Sequence, residues 1–245
     1  MRAPAAARAT ITTPVRLKPY VPWTDGSGRR WRGWLPLPAM IPFTLVYIVA
    51  AWVLFVPEAE LKDDGLYWID DDAIADLVFQ IPDLTENPPA AARSLITGLW
   101  FNHDSLQLIY VTALLLTFGA LFELREGTFR TVLVFAGTSA LAAVISGALL
   151  HLVYPHPWDE RWMTVAWNRN WMGGSAGCFG VLGATAARAQ RPVPLLAFFV
   201  AWECVVWWIN LRNYTSAFHL VALGAGFVAA RWLLPAIRPV DASTS

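Results

Sequence analysis

The chain has 245 residues, of which 56% are hydrophobic and 15% charged, and its formal net charge at pH 7 is zero. This composition indicates a single polytopic membrane domain, because a soluble protein of this size needs more charged surface. With zero net charge, the chain has no overall basic field that would favour binding to nucleic acid. The two cysteines, Cys178 and Cys204, lie in apolar segments, and no metal-ligand spacing is present. We therefore expect a lipid bilayer as the surroundings and no nucleic acid, metal or cofactor.

Residues 1–37 contain several arginines and a lysine but no apolar segment, so they are predicted to be a cytoplasmic tail and not a cleaved signal peptide. Apolar segments follow, each near the length of about 20 residues that a helix needs to cross a bilayer. We expect an all-α, six-helix membrane domain over residues 38–234 and a cytoplasmic tail at 235–245. The predicted helices lie at residues 38–56, 105–123, 129–153, 175–190, 194–211 and 216–234.

The distribution of basic residues predicts the orientation of these helices. With the N-terminus inside, most of the 18 Lys and Arg residues lie in the tails and in the turns on the inner side. Because positively charged segments stay in the cytoplasm, both termini are predicted to be cytoplasmic. Residues 57–98, which are rich in Asp and Glu, then form a long outer loop. The expected location is the bacterial inner (plasma) membrane.

This topology places two polar residues at the same depth. Ser175 begins the fourth predicted helix and His219 lies near the start of the sixth, and both helices run from outside to inside. Small residues follow both of them at helical spacing, and such residues let membrane helices approach closely. We therefore expect the two helices to touch and the Ser175 hydroxyl to lie within reach of the His219 ring.

The residues alone leave two interpretations of this pair open. Glycine-rich stripes in membrane helices are usually packing devices, and a membrane histidine is often a hydrogen-bond donor in the interior. An ionisable residue in a membrane is nevertheless a candidate functional group, since its burial is unfavourable. A serine beside a histidine can act as a nucleophile, because the imidazole takes its proton as a general base.

The sequence around the serine resembles a known signature. The stretch "GGSAGCFGVLGA" resembles the G-x-S-G-x-x-F/Y-G-x-x-G motif of the rhomboid family of intramembrane serine proteases. Ala176 stands where that family has a glycine after the serine. The matching residues are Gly173, Ser175, Phe179, Gly180 and Gly183.

Two further stretches extend the resemblance over the six predicted helices. "FHLVALGAG" resembles the family's histidine helix through His219 and Gly226, with Ala222 in place of a glycine. "GALFELREG" resembles the end of its second helix through Gly119, Glu123 and Gly127. The resemblance implies a rhomboid-like bundle with Ser175 as nucleophile and His219 as general base, and with small residues packing the helices around them.

The second predicted helix departs from the family pattern. Rhomboid proteases carry H-x(4)-H-x(3)-N there, and the second histidine and the asparagine help to hold the oxyanion. The corresponding residues here are Asn102, Gln107 and Val111, with His103 one residue away. The Gln107 amide and the backbone N–H of Ser175 are the expected oxyanion donors, with Asn102 or His103 as alternatives.

The resemblance therefore implies an intramembrane serine endopeptidase that cleaves transmembrane protein substrates within the membrane or at their outer flanks. One alternative is a catalytically inactive rhomboid-like protein that binds transmembrane helices, which the altered second helix favours. Another is a transporter or an unrelated helical scaffold, which would carry a polar site at the midplane. Glu203, in the middle of the fifth helix, is expected to point into the bundle and make a structural hydrogen bond. No acidic third member of the serine–histidine pair is identified.

Overall fold

The computed structural model describes residues 40–70, 72–154, 161–209 and 213–234. The predicted tails at residues 1–37 and 235–245 lie outside the described residues. The described chain is mainly helical and contains a small antiparallel sheet of strands β1 (Ala59–Leu61) and β2 (Tyr67–Ile69). The helices are α1 (Pro42–Phe55), α2 (Asp83–Glu86), α3 (Pro88–Thr97), α4 (Ser105–Glu126), α5 (Thr128–Val153), α6 (Arg161–Trp167), α7 (Ser175–Arg188), α8 (Pro192–Ile209) and α9 (Thr215–Leu233).

Each of the six predicted apolar segments contains a helix, with ends that differ from the predicted ones by up to four residues. Local signals explain these ends. The Asp104 side chain accepts a hydrogen bond from the Gln107 N–H at 2.8 Å and so caps the start of α4. Gly127, at φ +85°, separates α4 from α5, because that backbone conformation suits glycine. Pro192 begins α8, where its missing N–H is not needed.

Four helices, α4, α5, α8 and α9, are long and apolar enough to cross a membrane. Helix α1 with its following 3₁₀ turn is apolar but shorter, at Pro42–Glu58. Helix α7 has 14 residues, all of them buried except Thr185 and Arg188. The fold is therefore that of a helical membrane protein, in which a short helix is enclosed by longer ones.

Helix α7 packs tightly against α9 and α5. A Cβ atom added at Gly183 would overlap the carbonyl oxygen of Leu223, and one added at Gly226 would overlap the carbonyl of Gly180. A Cβ at Gly180 would also overlap the hydroxyl of Thr138 on α5. The close contact expected between the fourth and sixth helices is thus present, and it depends on the absence of side chains at these glycines.

The predicted outer loop at residues 57–98, which we call the cover, contains β1, β2, α2 and α3 in its described residues. Several of its apolar residues, such as Val78 and Ile81, are buried against the helices. Phe79 and Trp171 exchange backbone hydrogen bonds of 3.0 and 2.7 Å, which attach this cover to the segment before α7. This acidic segment therefore also has a hydrophobic side that packs on the helices.

Glu123, which the resemblance singled out, has a structural role at the opposite end of the bundle. Its buried carboxylate accepts hydrogen bonds from the backbone N–H groups of Phe43 and Thr44, at 2.8 and 2.9 Å. It also accepts one from the Thr128 hydroxyl at 2.8 Å. Glu123 therefore caps the first turn of α1 and joins it to the start of α5, where a negative charge suits the helix dipole.

Candidate active site

A sharp turn brings Ser175 to the start of α7. Gly173 has φ +100°, and a Cβ atom there would lie 2.6 Å from Nε2 of Gln107, so both conformation and space require glycine. Gly174 follows, and a Cβ atom at that position would overlap the hydroxyl of Tyr47. These two glycines let the chain enter α7 against α1, α4 and α5, and the Ser175 side chain becomes buried, with 7% of its surface exposed.

The hydroxyl of Ser175 lies beside the imidazole of His219. The distance from Ser175 Oγ to His219 Nε2 is 3.0 Å, which is a hydrogen-bond distance. Both residues are buried and lie near the N-terminal ends of α7 and α9. The structure thus brings together the two residues that the sequence placed at the same depth.

The imidazole is held by packing on its face as well as by hydrogen bonds at its edges. Phe179, one turn after Ser175, stacks on the ring with 4.2 Å between centroids and an interplanar angle of 6°. Ala222, three residues after His219, is fully buried at the contact between α9 and its neighbours. A ring fixed in this way keeps Nε2 directed at the serine, as catalysis by a general base requires.

The other ring nitrogen of His219 faces a carboxylate. His219 Nδ1 lies 2.8 Å from Oε1 of Glu203, and Glu203 has only 1% of its surface exposed. Oε2 of Glu203 has no hydrogen-bond partner among the described residues. The inward direction of Glu203 agrees with the prediction from the sequence, whereas its contact with His219 was not predicted. The available signal was an acidic residue in an apolar helix, and that signal does not say which neighbour it meets.

A cavity of about 60 Å³ lies at the serine and the histidine. Both residues line this cavity, together with the aromatic side chains of Trp171 and Phe218. The rings of Trp171 and Phe218 stack with 4.2 Å between their centroids. Phe79 of the cover also lines the cavity. The volume exceeds the roughly 10–15 Å³ that a water molecule needs, so water fits beside the serine and the histidine.

Gln107 contacts the segment that leads into α7. Its Oε1 accepts the backbone N–H of His103 at 2.7 Å, and its Nε2 donates to the carbonyl of Met172 at 3.2 Å. Gln107 does not belong to the residues that line the cavity. Its amide is therefore close to the turn before Ser175, and it supports that turn in the observed state. An oxyanion role for Gln107 stays a prediction.

The neighbouring polar residue Asn102 is fully buried. Neither its Oδ1 nor its Nδ2 has a hydrogen-bond partner among the described residues, and Oδ1 lies 3.4 Å from the Cβ position of Gly173. Val111, one turn further along α4 than Gln107, is a buried core residue with no donor in its side chain. Two amide side chains, those of Asn102 and Gln107, thus lie near the turn before α7. The Tyr47 hydroxyl lies there too and donates to the Leu99 carbonyl.

Backbone groups add donors at the same place. The N–H groups in the first turn of a helix have no acceptor within that helix, and the positive end of the helix dipole favours an anion there. Ser175 is the first residue of α7, so its N–H belongs to this set. An oxyanion formed at Ser175 would lie close to these groups, which is the arrangement used in acyl transfer.

No protein-family model matches the chain, and no curated protein matches it. The chemistry of the site therefore follows from its own geometry: a buried serine, an imidazole hydrogen-bonded to it, a carboxylate on the far side of the ring and a cavity at the hydroxyl.

Proposed function

We propose that the protein is a rhomboid-type intramembrane serine endopeptidase that cleaves transmembrane or membrane-proximal segments of membrane proteins. The observation that carries the proposal is the 3.0 Å contact between Ser175 Oγ and His219 Nε2 in a buried site. Both ring nitrogens of His219 have polar partners and its face is stacked, so the ring is held in the orientation that a general base needs. A serine prepared by a general base is the usual arrangement for acyl transfer.

In the proposed reaction, Ser175 Oγ attacks the scissile carbonyl carbon while its proton passes to His219 Nε2. The tetrahedral intermediate collapses with cleavage of the C–N bond, and Nε2 gives the proton to the leaving amine. Water then attacks the acyl ester, its proton passes to Nε2, and cleavage of the ester C–O bond returns the proton to Ser175 Oγ. One peptide bond and one water molecule are consumed, and no cofactor takes part.

The negative charge of the tetrahedral intermediate needs donors near Ser175. The backbone N–H of Ser175 is one, and we propose that Gln107 supplies a second when substrate binding moves its amide away from the Met172 carbonyl. A single oxyanion donor is worth roughly 3 kcal/mol of transition-state stabilisation. Asn102 is the alternative side chain, since its buried amide has no partner among the described residues.

The proposed membrane arrangement has six spans, both termini in the cytoplasm and the bacterial inner membrane as the location. Four long apolar helices support it. Helix α7 is enclosed and so needs less apolar length, and α1 with its 3₁₀ turn, at Pro42–Glu58, is apolar and only slightly shorter than the roughly 20 residues of a typical span. The orientation is tested by cysteine labelling in a Cys178→Ala, Cys204→Ala background. Asp63→Cys should react with an impermeant maleimide from outside and Arg191→Cys only after permeabilisation. The reverse pattern would contradict the orientation.

The function is tested with protein reconstituted into vesicles together with reporter transmembrane segments. Cleavage and labelling by a fluorophosphonate should both occur and both be lost in Ser175→Ala. Ser146→Ala is the matched control, because Ser146 is also fully buried but does not line the cavity. Cleavage and labelling that persist in Ser175→Ala would show that another nucleophile is at work.

The second candidate is a catalytically inactive protein that binds transmembrane helices. The apolar Val111, in the position where the resemblance places an oxyanion donor, favours it. This candidate predicts no fluorophosphonate labelling, no cleavage of any reporter, and binding of transmembrane peptides that is the same for the parental protein and Ser175→Ala.

A further inference from the structure

His219 is the central group of a chain of three polar side chains from three different helices. Its Nε2 lies 3.0 Å from Ser175 Oγ on α7, and its Nδ1 lies 2.8 Å from Glu203 Oε1 on α8. We propose that Glu203 is the positioning residue of a Ser175–His219–Glu203 relay, in which its carboxylate sets the tautomer and the orientation of the imidazole. The effect on turnover rests on the proposed protease function, whereas the effect on the ring does not.

The position of Glu203 on α8 argues against a general packing role. The buried side chains recorded for this 18-residue helix are those of Phe199 and Glu203, one turn apart. An isolated carboxylate in such an apolar setting is strongly unfavourable unless it is paired. The pairing that the described residues provide is with His219, through Oε1, while Oε2 has no hydrogen-bond partner there. Glu203 is therefore placed to act on the imidazole.

The contact with Glu203 sets which ring nitrogen of His219 carries the hydrogen in the proposed relay. An ionised Glu203 accepts but does not donate, so in the proposed relay Nδ1 carries the hydrogen and donates it to Oε1. Nε2 then has its lone pair free to accept the Ser175 hydroxyl hydrogen, as a general base must. With the opposite tautomer, Nε2 would donate to the serine oxygen and could not take its proton.

The same contact stabilises the charge that forms during the reaction. When Nε2 takes the proton of Ser175, the ring becomes an imidazolium next to a carboxylate in a water-poor site, where the attraction between opposite charges is stronger than in water. The proton travels between Oγ, Nε2 and the leaving amine, and Glu203 neither gains nor loses one. Glu203 thus acts only through His219 and touches no reacting atom.

Kinetic variants separate this role from support of the fold. Glu203→Gln places an amide that can donate to Nδ1 and so selects the wrong tautomer; it should lower kcat by about 10²- to 10⁴-fold with KM nearly unchanged. Glu203→Asp keeps the carboxylate and should recover part of the loss. Phe199→Leu is the matched control, because it alters the other buried contact of α8, and it should keep kcat within about threefold.

The decisive comparison is in the His219→Ala background. Without the imidazole, Glu203→Gln should cause no further loss of the residual rate, because residues that act as one unit are non-additive. A structural role would lower the rate by the same factor in both backgrounds. Equal factors, or an active parental protein with unchanged kcat in Glu203→Gln, would overturn the inference.

A spectroscopic measurement tests the relay independently of turnover. The chain has four histidines, so ¹⁵N-labelled imidazoles can be assigned by comparison with His219→Ala. The His219 ring should show the Nδ1-protonated tautomer in the parental protein and lose it in Glu203→Gln. If that tautomer is found in a protein without protease activity, the relay stands and the proposed function fails. If it is absent from the parental protein, the relay is wrong.

Discussion

Helices α7 and α8 are neighbours, yet they contribute to the site in opposite ways. Helix α7 consists mainly of small residues and is buried over nearly its whole length. Its first residue, Ser175, is therefore buried as well, and its hydroxyl faces the cavity. Helix α8 has larger side chains, and most of them face outward, such as the exposed Trp202 and Trp208. Its inward contribution to the site is the single carboxylate of Glu203.

The difference shows two ways in which a membrane helix can supply a functional group. For a helix made of small residues, the sequence predicts where it packs, because repeated glycines indicate close contact with another helix. For a helix that faces lipid, the sequence does not predict the packing partners, because every membrane-spanning helix needs apolar residues. Variants in the buried helix α7 should therefore have larger effects than variants on the outward face of α8.

The largest loss is expected at the pair held by α7 and α9. Ser175→Ala should lower kcat by about 10⁴-fold or more, to the background rate, and His219→Ala should do nearly as much. The double variant should lose little further activity, because the two groups act as one nucleophilic unit. Single-turnover cleavage of a reporter segment in vesicles measures all three. A double variant whose loss equals the product of the two single losses would show that the residues act separately.

The sequence could predict the helices and the serine–histidine pair, but not every partner. Apolar length and small-residue spacing report where a helix lies and which face packs closely, and this was enough to place Ser175 near His219. The contact with Glu203 depends on how α8 is rotated, which no period within α8 encodes. The cover at residues 57–98 was also not predicted, because its short elements are held by distant partners, as in the pairing of Phe79 with Trp171.

The next effect concerns the contact of α7 with α9. Gly226→Ala places a Cβ against the Gly180 carbonyl and should lower the free energy of unfolding by about 1–3 kcal/mol or more, as overpacking does. Gly224→Ala is the matched control on the same helix, because a Cβ there meets nothing within 4 Å. It should be neutral, or stabilising by up to about 1 kcal/mol. Denaturant unfolding in detergent micelles measures both. Equal stabilities would mean that the helices do not touch at these glycines.

The turn that leads into α7 provides the next test. If the protein is an active protease, Gln107→Ala should lower kcat by about 10- to 1000-fold, as expected for a donor used in the transition state. Stability should fall by only about 1–3 kcal/mol, because the His103 N–H and the Met172 carbonyl lose their partner. Val111→Asn should leave activity the same or raise it. Steady-state cleavage and thermal unfolding measure both quantities. If kcat is unchanged in Gln107→Ala, the Asn102 amide is the expected oxyanion donor, and Asn102→Ala should then lower kcat.

The smallest effect is expected on the outward face of α8, and two valines make the comparison direct. Val205 on α8 has 53% of its surface exposed, whereas Val181 on α7 has 1%. Val181→Ala removes two buried methyl groups and leaves a cavity, so it should lower the free energy of unfolding by about 1–3 kcal/mol. Val205→Ala removes groups that face lipid or detergent and should stay within about 0.5 kcal/mol of the parental protein. Denaturant unfolding in the same micelles measures the two side by side. A comparable loss in Val205→Ala would mean that the outward face of α8 is covered by protein, for instance by a second copy of the chain, and that α8 is as enclosed as α7.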